Sequence, residues 1–250
     1  MLYFWLFLLG FAAFTISTIS GGGGAMILVP AINFFVSKSE VAPLVHLGNL
    51  VGRPTRLALF WKHIRWDIVK AYLPAAMVGG FLGAWLFTNM KLEWLQILIG
   101  LFLLTSFWQF RYGKKKTTFP MQRSYFAPLG FFVCFLSSLI GATGAVLNPF
   151  YLNYGVIKEE LIATKAANSF FVAMVQLATY AAFGRLSGEL WGYGLAIGLG
   201  AAVGNFLGKR LLKSISNDVF RNLVLIMMLV SGLVILYQQL ALYWPVWSLF

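Results

Sequence analysis

Four polar side chains share one face of a predicted helix that is otherwise apolar. They are spaced three, four and three positions apart in the stretch "HLGNLVGRPTR", a spacing that places them on a single helical face. The four residues are His46, Asn49, Arg53 and Arg56. A guanidinium matches an oxyanion through paired hydrogen bonds, so this face predicts a binding site for an anion. Arg53 lies nine positions before Lys62 of the next basic loop and is predicted to stay deep, whereas Arg56 is predicted to reach the cytoplasmic interface.

A second helix carries a related polar pair. Lys165 and Asn168 follow His46 and Asn49 at an offset of 119 positions. Lys165 is interpreted as a site residue, and an interfacial lysine near a helix start is the alternative. The seven carboxylates, in contrast, all lie at or near predicted helix ends: Glu40, Asp67, Glu93, Glu159, Glu160, Glu189 and Asp218. A cation transporter would place carboxylates at membrane depth, so this distribution favours an anion as the ligand.

The composition is that of an integral membrane protein. The 250 residues are 60% hydrophobic and 10% charged, with a mean hydropathy of +0.81. The apolar start lacks the basic residues of a signal peptide and is predicted to be part of the mature fold. Cys134 is the single cysteine, so neither a disulfide nor a cysteine metal site is predicted, and no cofactor is expected. The net charge of +12 is scattered over loops, which fits cytoplasmic loops and not a nucleic-acid partner.

Two glycine clusters interrupt the apolar sequence and match each other. "GGGGAMILVP" (21–30) aligns with "IGATGAVLNP" (140–149), and each precedes an apolar run, 25–36 or 145–155, that is too short to span a bilayer. A short helix after each break would turn unpaired N–H groups and a partial positive charge toward an anion. The predicted site residues at the breaks are Gly21, Gly22, Gly23, Gly24, Gly141, Thr143, Gly144 and Asn148. The alternative is that these glycines only permit close helix packing, which is the interpretation of "GGFLGA" (79–84) and "GAAVGN" (200–205).

The matching clusters divide the chain into two repeats. The predicted fold is an all-α polytopic membrane protein with repeats at 1–112 and 125–250 and a basic cytoplasmic linker at 113–124. The first repeat is predicted to contain a re-entrant hairpin at 1–36 and spans at 41–60, 68–89 and 93–110. The second is predicted to contain a hairpin at 125–155 and spans at 161–183, 190–208 and 219–243, which gives about eight hydrophobic segments.

Basic residues decide between inverted and parallel repeats. If each broken segment crossed the membrane fully, the repeats would be parallel and the basic loop 209–221 would lie opposite the other basic loops. With re-entrant hairpins the repeats are inverted, and one side collects Lys62, Arg65, Lys70, Arg111, Lys114, Lys115, Lys116, Arg123, Lys158, Lys209, Arg210, Lys213 and Arg221. The other side then collects only Lys38, Lys91 and Arg185. Cytoplasmic loops are rich in lysine and arginine, so the inverted arrangement is favoured, with both termini outside and the linker inside.

Several of these motifs together resemble the TauE/SafE group of membrane transporters. The resemblance rests on "SGGGGAMILVP", its echo "SSLIGATGAVLNP" after a basic loop, the "GNLVGR" stretch and "GGFLGAWL", and it runs over nearly the whole chain. It implies an exporter of sulfite or of small organosulfonates such as sulfoacetate, in the cytoplasmic (inner) membrane of a bacterium. A sulfonate is a permanently charged oxyanion and fits the cationic site predicted from the residues themselves.

The sequence therefore predicts a transporter and not an enzyme. The leading hypothesis is export of a small anion by alternating access, and the alternative is a passive anion channel of the same architecture. An intramembrane hydrolase is the remote third, because only His46 and His63 are available as bases and "GATG" lacks a serine. His46 is the candidate for coupling to protons, with a packed polar histidine as the alternative. The expected partners are a small anionic substrate and the lipid bilayer, and a homodimer is left open.

Overall fold

The computed structural model describes residues 1–22, 24–32, 34–87, 97, 101, 104–105, 120–140, 146–184, 186 and 188–247. Gly23, Gly141, Thr143 and Gly144 lie outside these residues, and so do most of the predicted span 93–110 and most of the linker 113–124. The described residues form α-helices and two short 3-10 turns, with no strand among them. The helices are α1 (Leu2–Ile19), α2 (Gly24–Ile32), α3 (Lys38–Phe60), α4 (Trp66–Phe87), α5 (Phe126–Ile140), α6 (Asn148–Asn153), α7 (Lys158–Ala182), α8 (Gly188–Ser214) and α9 (Asn217–Trp247).

Five of the described helices are long and apolar enough to cross a membrane. They are Leu2–Ile19, Trp66–Leu86, Lys158–Ala182, Gly188–Ser214 and Asn217–Tyr237. Helix α3 has 23 residues but is less apolar, because it carries the four polar residues of the "HLGNLVGRPTR" stretch. The predicted all-α, multi-pass class is therefore the class observed over the described part of the chain.

Helices α1 and α3 both run parallel to α8. Along α1, a methyl group at Gly200 would collide with the carbonyl oxygen of Phe7, and one at Gly204 with that of Phe11. Along α3, Gly48 faces Ile197 and Gly52 faces Ala201. Residue numbers rise together in both pairs, so α1, α3 and α8 form a group of three parallel helices.

A matching group consists of α4, α5 and α7. A methyl group at Gly79 would collide with the carbonyl oxygen of Phe131, and one at Gly83 with that of Phe135, so α4 and α5 are parallel. The start of α4 meets the start of α7, where the Arg65 N–H donates to Thr164 Oγ1 over 3.0 Å. Farther along, Gly80 of α4 contacts Gln176 of α7, so these two helices are parallel as well.

The two groups run in opposite directions and meet along α3 and α7. Arg53 Nη1 donates to the Ser169 carbonyl over 2.6 Å, and the rings of His46 and Tyr180 are 5.9 Å apart. Residue numbers fall along α7 as they rise along α3, so these two helices are antiparallel. Each group also takes helices from both parts of the chain: α8 joins α1 and α3, and α4 joins α5 and α7.

Close packing accounts for the glycines of "GGFLGA" and "GAAVGN", as predicted. Gly79 and Gly83 admit the backbone of α5, and Gly200 and Gly204 admit the backbone of α1. These contacts leave no space for a side chain, because the nearest atoms are main-chain carbonyls that cannot move independently of their helices.

We expect Gly200→Ala to destabilise the protein, because the added methyl group forces α1 away from α8. Overpacking of this kind lowers the free energy of unfolding by about 1–3 kcal/mol, or about 2–4 °C in Tm per kcal/mol. Thermal unfolding in detergent measures the effect. Gly188→Ala is the matched control, because no atom lies within 4 Å of a Cβ there. Equal Tm values for the two variants would contradict the α1–α8 packing.

Candidate functional site

A cavity of about 110 Å³ lies between the two helix groups. Six of the residues predicted from the sequence line it: Gly22, Gly24, His46, Asn49, Arg53 and Lys165. The structure thus brings the face of α3, the first glycine break and the lysine of α7 to one place.

The described residues that line this cavity carry only positive charges. Arg53, Arg56 and Lys165 line it, and none of the described lining residues is an aspartate or a glutamate. Buried cations without acidic partners are expensive in a low-dielectric interior. A bound anion would offset that cost, which is the physical basis for considering the cavity an anion site.

Arg53 has donors to offer a ligand. Its Nη1 donates to the Ser169 carbonyl, and within the described part of the chain this is its one hydrogen bond. A guanidinium carries five N–H donors in a planar fork. The prediction that Arg53 lies deep is consistent with its contact to the middle of α7.

Arg56 is turned inward, and the prediction that it reaches the interface was wrong. Its Nε donates to Asn205 Oδ1 over 3.0 Å, and its Nη2 donates to Thr18 Oγ1 over 2.9 Å. Weaker contacts join it to the Phe14 carbonyl at 3.3 Å and to Ser17 Oγ at 3.4 Å. Its guanidinium also lies 5.2 Å from the centre of the Phe14 ring. Acceptors from α1 and α8 satisfy the charge, so Arg56 joins three helices and has less to offer a ligand than Arg53.

Lys165 is buried and contacts both broken segments. Lys165 is only 9% exposed, so its ammonium group is enclosed by other parts of the protein. Nζ donates to the Gly21 carbonyl and to Asn148 Oδ1, each over 2.5 Å. Gly21 lies two residues beyond the end of α1 and Asn148 begins α6, so one ammonium group connects the two breaks.

The first break uses its backbone differently from the prediction of four N–H groups facing an anion. Gly21 and Gly22 have φ of 69° and 129°, a conformation that favours glycine. The Gly22 N–H donates to the Ser17 carbonyl over 2.8 Å and is therefore occupied. Gly21 presents its carbonyl, and not its N–H group, to Lys165. Among the described residues, the helix N-terminus that lies beside the cavity is therefore the start of α2 at Gly24.

The two matching asparagines do not play matching roles. Asn49 lines the cavity. Asn168 is not among the described lining residues, and its Nδ2 donates to the Tyr151 hydroxyl over 2.9 Å. Among the described residues, Asn168 Oδ1 and Asn148 Nδ2 are buried without a hydrogen-bond partner. His46 Nε2 lies 3.4 Å from the Ser137 carbonyl. The buried Nδ1 of His46 has no hydrogen-bond partner among the described residues.

Several lining residues were not among the predicted site residues. Tyr72 and Cys134, which contact each other at 3.1 Å through the hydroxyl and Sγ, read as ordinary apolar helix positions. Gln176 also lines the cavity and donates to Ser138 Oγ over 2.7 Å. Its place on the face of Lys165 and Asn168 was the available signal. No group of three metal-ligating side chains occurs in the described ranges.

An ion-pair cluster lies at one end of the bundle, near the starts of α4 and α7. Arg65 donates to both carboxylate oxygens of Asp67 over 3.1 Å and lies 3.6 Å from Glu160. The hydrogen bonds to Asp67 raise the pKa of the Arg65 guanidinium. The side chains are 32–42% exposed, so solvent screens these pairs and they add little stability.

Taken together, the helices and the cavity define a multi-pass α-helical membrane protein with an internal, cation-lined site. A family model described as "Sulfite exporter TauE/SafE" matches residues 6–235 of the chain. The chain therefore belongs to the TauE/SafE family, as its motifs suggested. Searches among curated proteins and among solved structures gave no significant match.

Proposed function

We propose that this chain exports a small anion, with sulfite or a small sulfonate as the substrate, across the cytoplasmic membrane of a bacterium. The observation that carries the proposal is the cavity itself, which joins Arg53 and Lys165 and has no carboxylate among its described lining residues. Planar guanidinium and ammonium donors suit a sulfur oxyanion. The family to which the chain belongs is described as a sulfite exporter, which supports the same substrate class.

The substrate is proposed to bind between Arg53, Asn49, Lys165 and the start of α2. Gly22 and Gly24 line the same cavity, and Gly21 and Asn148 hold the Lys165 ammonium in place. Gly23, Gly141, Thr143 and Gly144 are assigned to the site through the matching glycine clusters alone. Asn168 is assigned through its pairing with Asn49, and its contact with Tyr151 makes it a support behind the site.

Alternating access is proposed to arise from movement of the two helix groups about this cavity. Helices α3 and α7 correspond in the two predicted repeats and are antiparallel, which supports an inverted repeat. Since α1 and α3 are both parallel to α8, the chain between them must run back through α2, which supports a re-entrant first hairpin. Rocking one group against the other would open the cavity first to one side and then to the other.

The proposed orientation places both termini outside. One end of the bundle is where α3 and α8 finish and where α4, α5, α7 and α9 begin, and it collects the described basic residues Lys62, Arg65, Lys70, Arg123, Lys158, Lys209, Arg210, Lys213 and Arg221. We call it the basic end, and it corresponds to the cytoplasm. An inside-negative potential then drives a bound anion outward by about 2.3 kcal/mol per charge per 100 mV.

The test is flux of matched anions from liposomes that contain the purified protein. We expect saturable efflux of sulfite and methanesulfonate, with acetate, the carboxylate analogue of methanesulfonate, carried at least about tenfold more slowly. Protein-free liposomes are the control, and counter-flow of labelled substrate distinguishes a carrier from the channel alternative. A preference for acetate would contradict the substrate class, and unsaturable flux without exchange would favour the channel.

A further inference from the structure

The Lys165 ammonium lies in a site built from neutral oxygen atoms of the two broken segments. Its two described ligands are the main-chain carbonyl of Gly21 and the side-chain oxygen of Asn148, both at 2.5 Å from Nζ. Asn148 is fully buried, and Gly21 is packed under Val224 and Phe220 of α9. This is a cation site by its chemistry, because both ligands offer oxygen lone pairs and neither brings a formal charge.

The position of these oxygens is that of a coupling-ion site. Gly21 lies two residues beyond the end of α1, so its carbonyl belongs to unwound backbone next to the negative pole of that helix. In transporters with broken helices, unwound carbonyls and half-helix C-termini coordinate the co-transported cation. Here the ligand oxygens of both breaks are occupied by a cation that belongs to the chain.

The surrounding charges oppose a second cation. Arg53 and Arg56 line the same cavity as Lys165. A sodium or potassium ion entering beside them would meet like charges without a carboxylate from the described lining residues to offset them.

We propose that Lys165 is a tethered cation that fills the ion site of the two glycine breaks, so that the anion is exported without a co-transported alkali cation. The transport part of this inference rests on the proposed function, whereas the cation site stands on the two oxygen contacts. Removal of the side chain in Lys165→Ala leaves the Gly21 and Asn148 oxygens buried and unpaired. Lys165→Ala thereby creates a site for a free ammonium or methylammonium ion, whose N–H groups can make the same hydrogen bonds.

The first experiment measures binding and needs no transport. Thermal unfolding of Lys165→Ala is followed in detergent with increasing ammonium or methylammonium chloride. We expect a rise in Tm of about 3 °C at ten times the dissociation constant. Tetramethylammonium has the same charge but no N–H donor and should give no rise.

Two variants serve as controls, one for the volume that the Lys165 side chain leaves empty and one for the loss of a lysine elsewhere. Lys165→Met keeps most of the side-chain volume without the charge, so it should fill the site and show no response to ammonium. Lys209→Ala removes a lysine that also donates to a main-chain carbonyl, that of Leu59 over 2.6 Å, but lies outside the cavity. The Tm of Lys209→Ala should respond to ammonium no more than the Tm of the native protein does.

The second experiment measures sulfite efflux from liposomes. The native protein should give the same flux in sodium, potassium and choline salts. Lys165→Ala should lose at least about tenfold in flux, and ammonium should restore it several-fold while tetramethylammonium does not.

The outcomes separate the two proposals. A severalfold loss of native flux in choline would overturn the tethered cation, and so would a Lys165→Ala protein whose Tm rises no more with ammonium than that of Lys165→Met. The salt dependence of the native protein requires no variant, so it decides the question even if Lys165→Ala fails to fold. Stabilisation of Lys165→Ala by ammonium, together with native protein that carries no sulfite, would retain the cation site and refute the proposed function.

Discussion

Arg53→Ala is expected to lower sulfite efflux at least about 100-fold while the protein folds normally. The guanidinium is the cavity cation with the most unused donors, since its one described hydrogen bond goes to the Ser169 carbonyl. Each hydrogen bond between a charged group and a ligand contributes about 1.5–3 kcal/mol, and a bidentate pair loses two of them. Efflux from liposomes gives the flux, and the Tm in detergent reports whether the fold is retained.

Arg210→Ala is the control for loss of positive charge. Arg210 is exposed at the basic end, away from the cavity, and its removal should leave the flux within about twofold of native. Arg53→Lys keeps the charge but loses the planar fork and should recover part of the flux. Native flux from a well-folded Arg53→Ala protein would remove Arg53 from the proposed site.

Arg56→Ala is expected to impair folding, in contrast to Arg53→Ala. The substitution leaves Asn205 Oδ1, the Thr18 hydroxyl and the Phe14 carbonyl without their guanidinium donor inside a bundle of three helices. The guanidinium makes two short hydrogen bonds, to Asn205 and Thr18, and a hydrogen bond from a charged group contributes about 1.5–3 kcal/mol, so we expect a total of about 3 kcal/mol or more. Thermal unfolding should show a fall in Tm of roughly 6–12 °C, at about 2–4 °C per kcal/mol.

Arg65→Ala provides the comparison for an arginine with exposed partners. The Arg65 side chain is 38% exposed and pairs with carboxylates that water also reaches, so its Tm should change by less than about 4 °C. A smaller fall in Tm for Arg56→Ala than for Arg65→Ala would show that Arg56 does not hold α1, α3 and α8 together.

Much of the helical arrangement could be predicted from the sequence, because a helix that crosses a bilayer needs an apolar run of matching length. The predicted spans 68–89 and 161–183 correspond to the helices Trp66–Phe87 and Lys158–Ala182, with starts two and three residues earlier. Helix α8 continues to Ser214, past the predicted end at 208. Its last residues include Lys209 and Arg210, which end the apolar run but are good helix formers.

Helical periodicity predicted which residues of the site share a helix face, but not which residues they contact. Periodicity places Asn49, Arg53 and Arg56 on one face, but it does not say which neighbour receives each side chain. One acceptor of Arg56 is Asn205, 149 positions later in the chain, so the inward orientation of Arg56 is a property of tertiary packing. The contacts of Lys165 with Gly21 and Asn148 likewise depend on how two distant breaks come together.

The pairing of α1 with α8 has a consequence for biosynthesis. Thr15 reaches the Gly204 carbonyl across 189 positions of sequence. At a synthesis rate of roughly 5–20 residues per second, the ribosome needs about 10–40 seconds to make the partner of a helix that it delivered first. During that interval α1 exists without α8, so its contacts with the glycines of α8 cannot form. Insertion of this protein must therefore include a waiting state in which lipid or an insertion factor covers the face that α8 will occupy.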